Sequence, residues 1–401
     1  MRRTVLTTLL VITLAAATYA QSTWPTKDWS SVDPTSVGLD AKALASFDAD
    51  ISAGKYGYID SMLVIRAGKI AFERYYKHDY DKIYGVEAKK PGPLNPHDSV
   101  GPYNYFNPWW HPYYRRGELH SMQSVTKTLT SIIIGVAIAR REFPDIDTPV
   151  LKFFDASKVA AVDERKKRMT IRHLLSMTAG FDWKEDLPYN DPNNTASLLE
   201  ASFDWVKFTI DRPMAVEPGT VFNYNSGATQ LLSYIFTAAT GQDIEEYAAK
   251  YLFAPLGIEN YYWKRTPTGL ADTEGGLYLK SRDLAKIGYL FLKNGEWNGK
   301  QIVTPDWVKL SVAPSTSVSA AVKYGLKWWL YPYNDGSSKF AWAGSGFGGQ
   351  KPIVLPDYDM VLVFTGWNIL GGKSLSHRVA IDRAIGAVVK SSQSDRGGSR
   401  P

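Results

Sequence analysis

Ser124 and Lys127 stand three residues apart at the head of "SVTKTLTSIIIGVAI", a run that is apolar almost all round. On a helix, positions three apart share a face, so the Lys127 amine can reach the Ser124 hydroxyl. Burial disfavours an ammonium group, which predicts a lowered pKa and an uncharged amine able to take the serine proton. A serine at a helix N-terminus also gains unpaired backbone N–H groups and the positive end of the dipole, both useful to a developing oxyanion. The chemistry implied is acyl transfer through a serine nucleophile. The spacing alone is a weak signal, because Ser52-Ala-Gly-Lys55 repeats it. There, Gly54 and Gly57 mark a loop or helix end, and no apolar helix follows.

Two further stretches strengthen the reading. "EPGTVFNYNSG" brings Tyr224, Asn225 and Ser226 to a loop just before a helical pattern, and "WAGSGFGGQ" places four glycines at the end of a β-type run. A phenol near a lysine can ionise or relay a proton, although a tyrosine in an aromatic-rich chain ordinarily packs. Ser-x-x-Lys, then Tyr-x-Asn, then a Lys-Thr-Gly-like strand is the motif order of serine β-lactamases and penicillin-binding proteins. From about Pro34 to Val389 the chain resembles that superfamily, and within it the class C β-lactamase-like hydrolases, including family VIII carboxylesterases and 6-aminohexanoate-dimer hydrolases. "ELHSMQSVTKT", "MTIRHLLSMTAGFDW", "FNYNSGATQLLSYI", "FAPLGI", "GGLYLKSRDLAKIGYLFLKNGEWNGKQIV" and "YGLKWW" carry the resemblance in order.

The resemblance implies that Ser124 is the nucleophile, Lys127 its activating partner and Tyr224 a second base or proton shuttle. It implies an oxyanion hole made by the Ser124 N–H and a donor on the glycine-rich strand. That donor is Phe347 if Gly344-Ser345-Gly346 stands for Lys-Thr-Gly, and Gln350 if Phe347-Gly348-Gly349 does. The departures are informative: Ser226 replaces the Asn of Tyr-x-Asn, and neither register keeps the Lys-Thr-Gly cation. That cation helps hold the substrate carboxylate in the family, so hydrolysis of an ester or small amide fits better than action on β-lactams or D-Ala-D-Ala peptides. A D,D-peptidase or β-lactamase acting on cell-wall-like substrates, and a catalytically silent binder of peptide or glycan, are the competing readings.

The elements that must position these groups follow from periodicity. Ser61–Arg66 and Lys69–Tyr75 are two β-type runs around Ala67-Gly68, a hairpin signal. Helical patterns dominate from Ser124 to about Gly257, with stretches at 171–177, 228–236 and 243–252, and another helix is expected over 283–292. β character returns at 325–331, 339–343, 353–355 and 360–364, before a last amphipathic helix over 377–388. The early and late strands most simply join one antiparallel sheet interrupted by a helical insertion. The expected fold is α+β, β-lactamase/transpeptidase-like: an antiparallel sheet flanked by helices plus an all-helical lobe, the active site between them. The sheet lobe spans about 34–120 and 258–390, and the helical lobe about 121–257, within a hydrolase domain over 21–401 that ends in a small, polar tail (391–401) expected to be disordered.

Composition narrows the field. The chain has 401 residues, 44% hydrophobic, and no cysteine, which excludes disulfides, thiolate metal sites and a cysteine nucleophile. Its six histidines are scattered without metal-ligand spacing, so neither metal nor cofactor is expected; His173 reads as a buried or capping residue and His120 as a packing one. No Gly-x-Ser-x-Gly elbow occurs. The net charge of +6 includes Arg2 and Arg3, and the one basic run, Glu164 to Arg168, reads as a solvated loop, so no nucleic-acid partner is expected. Met1-Arg2-Arg3, an apolar run to Ala17 and the small-residue end at Ala20 have the parts of a signal peptide (1–20), which predicts export to the periplasm or medium and no membrane span afterwards. The aromatic, proline-rich stretch 81–117 leads straight into the Ser124 helix. Trp109 and Trp110 in it are expected to overhang the cleft and select an apolar acyl or alcohol group.

Overall fold

The computed structural model describes residues 24–96, 101–334 and 336–389; the expected signal peptide and C-terminal tail lie outside them. An eight-stranded antiparallel sheet runs in the order Lys69–Tyr75, Ile59–Arg66, Met360–Gly366, Lys351–Leu355, Phe340–Ala343, Trp329–Pro332, Lys323–Tyr324, Thr316–Ser317. The hairpin at its edge closes on Ala67 (φ 51°) and Gly68 (φ 72°), two left-handed residues in a two-residue turn whose twist matches the strands. Strands distant in sequence meet at the centre: Met62 lies opposite Phe364 and Val64 opposite Leu362.

The central strands read as continuous hydrophobic runs because both faces are covered. Met62, Val64, Ile353, Leu355, Leu362 and Phe364 pack against helices Ala41–Ser52 and His377–Gly386. Leu63, Ile65, Val354, Val361 and Val363 face the opposite way, into the core shared with helix Ser281–Leu292. Successive side chains of a strand point to opposite faces, so each run is divided between two layers.

The helical part is centred on Val125–Ala139, whose residues from Val125 to Ala137 are all buried. It packs against Ser226–Thr240, which Asn225 caps by accepting from the Ala228 N–H at 2.7 Å and which Gly241 (φ 71°) ends in the left-handed conformation. Gly135 has a steric reason: a Cβ there would stand 2.2 Å from Trp307 Cδ1. His173 completes a capping box, its Nδ1 accepting from the Thr170 N–H at 3.1 Å.

Two expectations change in detail. The stretch 325–331 is not one strand, because Lys323–Tyr324 and Trp329–Pro332 pair antiparallel and Gly325–Trp328 is the turn between them, with Lys327 at φ 64° and Leu326 N–H bonded to Ser311 O. The helix at 243–252 is Ile244–Ala248 continued by a π-turn over Ala249–Phe253. His120 and Ser121 precede the helix as a short strand paired with Leu277–Leu279. The insertion is a packed cap: Tyr80, Tyr84, Leu94, Tyr105 and Phe106 cluster with Trp367 and Ile369 of the segment after the last strand. The Tyr84 hydroxyl donates to Trp367 O, and Trp367 Nε1 to Tyr105 O.

Candidate active site

The turn before the helix aims the serine. Met122 N–H bonds to Leu277 O at 2.8 Å, and Gln123 follows at φ 49°, a left-handed conformation that costs roughly 1 kcal/mol or more in a non-glycine residue and recurs at functional turns. Ser124 then opens helix Val125–Ala139 with no side-chain cap bond, so its Oγ is not engaged by its own backbone. Lys127 Nζ lies 3.0 Å from that Oγ. It also donates to Glu274 O at 2.7 Å and to Glu274 Oε2 at 3.0 Å. Tyr224 completes the cluster: its ring centroid is 5.3 Å from Lys127 Nζ, and Trp329 stacks against it at 5.7 Å. Ser124 and Tyr224 are partly exposed, whereas Lys127 is buried.

The expected uncharged amine is corrected here. Burial pulls the Lys127 pKa down, but Tyr224, the Glu274 and Glu185 carboxylates and the hydrogen bond to Glu274 outweigh it, and the ammonium is held above the ordinary lysine value. An opposite charge within hydrogen-bond reach defeats desolvation. Burial pushes the Tyr224 phenol up, with Lys127 and Ser124 opposing.

Ser226 does not face the nucleophile. It is 1% exposed, its N–H and Oγ donating to Glu185 Oε2 at 2.7 Å and Oε1 at 2.6 Å. Trp183 Nε1 (2.7 Å) and the Tyr189 hydroxyl (2.9 Å) fill the remaining acceptor positions of this carboxylate. In the glycine-rich stretch, Gly344 N–H bonds to Pro352 O (3.0 Å) and Gly346 N–H to Gln350 O (2.9 Å). Ser345 lies between these two bonded residues, and Phe347 opens the turn 347–349 that leads to Gln350. Gly346 is required by close approach, since a Cβ would meet Met122 O at 2.5 Å. Gln350, the donor of the other register, is fully buried, and its side chain bonds Phe347 O and Gly366 N.

A cavity of about 20 Å³, room for one water-sized group, opens at Ser124 between Leu94, Tyr105, Tyr189 and Phe347, with Glu200 and Glu274 in its wall. Trp109 and Trp110 do not line it. Trp109 is 49% exposed, and Trp110 packs on Tyr114 and Tyr262. The insertion does reach the site, through Tyr105 and Leu94 instead. Among the described residues no group of three His, Asp or Glu could hold a metal ion, and no helix is long and apolar enough to cross a membrane.

A family model described as Beta-lactamase matches residues 60–368, more than half of the chain. The chain belongs to the beta-lactamase family. Within this family of hydrolases, it is 26% identical to the 6-aminohexanoate-dimer hydrolase of Paenarthrobacter ureafaciens over 276 residues, 63% of this chain and 68% of that protein. Among solved structures it is similar to a family VIII carboxylesterase, with a TM-score of 0.62 at 14% identity over 89% of this chain and 98% of the other. It is likewise similar to EstCE1, a hydrolase with promiscuous acyltransferase activity, with a TM-score of 0.63 at 16% identity over 87% and 99%. The architecture is that of the β-lactamase/transpeptidase-like fold.

What motif reading in this beta-lactamase-family chain missed are the buried carboxylates Glu185, Glu200 and Glu274. A signal was available for Glu274, an acid directly before Gly275-Gly276 and the apolar run Leu277 to Leu279, but nothing in the sequence says which cation it meets.

Proposed function

We propose that this chain is an exported serine hydrolase that cleaves an ester or small amide through an acyl-enzyme on Ser124. The observation that carries the reading is the convergence of an uncapped, partly exposed Ser124 Oγ with Lys127 Nζ at 3.0 Å, beside the Tyr224 ring at 5.3 Å from that nitrogen. Ser124 Oγ attacks the substrate carbonyl as its proton leaves by way of Lys127, and Tyr224 passes a proton to the leaving group. The Ser124 N–H at the head of a buried helix supplies one oxyanion donor, and the Phe347 N–H, directly after Gly344-Ser345-Gly346, supplies the other. Water then attacks the acyl-enzyme. The third motif lacks a cation at either register, which favours neutral esters and amides over substrates held by a carboxylate, and the narrow aromatic cavity at Ser124 favours a small group there.

The test is intact-mass spectrometry after exposure to a fluorophosphonate and, separately, to a fluorescent penicillin, with peptide mapping and a panel of p-nitrophenyl esters. The expected result is one fluorophosphonate adduct on Ser124, ester turnover abolished in Ser124→Ala, and weak penicillin labelling. An adduct elsewhere, or turnover surviving in Ser124→Ala, overturns the assignment; fast, stoichiometric penicillin acylation would move it to a D,D-peptidase or β-lactamase.

A further inference from the structure

Lys127 Nζ has three close partners, and two of them, Glu274 O and Glu274 Oε2, can only accept. Two of its N–H bonds are therefore committed. The third position, facing Ser124 Oγ at 3.0 Å, is an N–H when lysine is an ammonium and a lone pair when it is an amine. When a Glu274-facing proton is given up, a turn of the terminal group about the Cε–Nζ bond brings the lone pair to Ser124, so a proton can cross this nitrogen with the side-chain stem in place. At rest it is an ammonium, which cannot accept the serine proton unless it gives one up. The acceptor in contact with it is the Glu274 carboxylate, 6% exposed and lining the cavity onto which Ser124 opens.

Resting on the serine hydrolase reading, we infer that Glu274, acting through Lys127, is the positioning partner that accepts the proton leaving Ser124. As Oγ bonds to the substrate carbonyl carbon, the Ser124 O–H bond breaks and its proton goes to Lys127 Nζ. For this, the Lys127 N–H proton facing Glu274 has moved to Oε2 and the amine has turned its lone pair to Ser124, and the carbonyl π pair moves onto the oxyanion. When the C–leaving-group bond breaks, the proton returns from Glu274 to Lys127, and the leaving group takes one from Tyr224, which is resupplied by Lys127. No net proton is gained or lost.

The surroundings hold Glu274 ionised between turnovers. Its neighbours are Lys127, Glu185, Glu200, Lys264, Asp272 and the phenols of Tyr103, Tyr105, Tyr189 and Tyr224. Burial opposes ionisation, but Lys127 and the hydrogen bond from Glu200 keep the Glu274 carboxyl below the usual range. Glu200 is pushed well above that range, by burial first and the Glu274 charge second, so it stands as the neutral, donating partner. The Tyr105 hydroxyl donates to Glu200, and Lys264 pairs with Asp272 at 3.4 Å behind it. Lys127 itself faces Tyr224, Glu185, Glu274, Asp272 and Lys327.

The experiment is the pH profile of kcat/KM on a neutral p-nitrophenyl ester, pH 6 to 9, for the full chain and for Glu274→Gln, Glu274→Asp and Glu200→Gln, with fluorophosphonate labelling of Ser124 followed alongside. The wild type is expected to be flat, because the proton acceptor is already ionised. Glu274→Gln must lose about 10²- to 10⁴-fold at pH 7 with KM within about threefold, and must then climb about tenfold per pH unit, since Lys127 can shed its proton only to solvent. Glu274→Asp is expected to stay flat at reduced kcat, and Glu200→Gln, a neutral donor in place of a neutral donor, to stay flat. A merely structural role lowers the profile without tilting it, so a Glu274→Gln profile parallel to wild type overturns the inference. Should that variant not fold, the wild type decides: a tenfold-per-unit rise of its own between pH 6 and 9 overturns it too. Failure of the parent reading looks different, as an unlabelled Ser124 and no ester turnover in the wild type.

Discussion

Ser226→Ala separates a substrate contact from a structural one. The hydroxyl lost donates at 2.6 Å to Glu185 Oε1, and that carboxylate keeps three other donors, Ser226 N–H, Trp183 Nε1 and the Tyr189 hydroxyl. A hydrogen bond to a buried charged group contributes about 1.5–3 kcal/mol. An unfolding entropy of about 2.1 cal/mol/K per residue over roughly 360 residues is ~0.8 kcal/mol/K, so the loss translates to a Tm lower by about 2–4 °C. KM for a small neutral ester should stay within about twofold, because the hydroxyl is 1% exposed and faces away from the Ser124 cavity. Scanning calorimetry and steady-state kinetics on the same preparation read both quantities. A tenfold rise in KM with an unchanged Tm would place the hydroxyl on the substrate and refute the reasoning.

Stability should also fall on acidification through His377. Burial, and then the charge on nearby Lys351, hold its pKa down to about 3 against an ordinary 6.5, while its bond to Gly344 O opposes them. The folded state therefore binds fewer protons than the unfolded one, so the contribution is complete above pH 6.5 and is lost toward pH 3 by about 1.4 kcal/mol per unit. His377→Gln should flatten the Tm-against-pH curve between pH 6 and 4, and identical slopes in variant and wild type would contradict this. Export predicts a mature protein beginning at Gln21, read by N-terminal sequencing of material from the periplasm or medium; unprocessed chain confined to the cytoplasm would count against it.

Much of the frame was legible because it is written in local period and turn chemistry. The two hairpin strands around Ala67-Gly68, the buried helix after Ser124 and the Asn225-capped helix are each announced by residues within a few positions of one another. The pairing of the first hairpin with Met360–Gly366 was legible only as the simplest way to close two distant β runs. The turn at Gly325–Trp328 was not, since its backbone is shaped by Ser311 and Leu175, far away in sequence. Trp109 and Trp110 look from sequence like the aromatic wall of the cleft, yet the folding of the insertion onto Trp367 gives that place to Tyr105 and Leu94.

By itself, the sequence determined that a serine and a lysine share one face at the head of an apolar helix, because helical spacing needs only three peptide bonds between them. The charge on that lysine was decided by tertiary structure. Burial argues for an amine, but Glu274, 147 residues further along, arrives within 3.0 Å and reverses the sign. Ser226 likewise owes its role to Glu185, 41 residues before it. A pKa is set by the field of every group brought within a few ångströms, and in a folded chain most of those groups are remote in sequence.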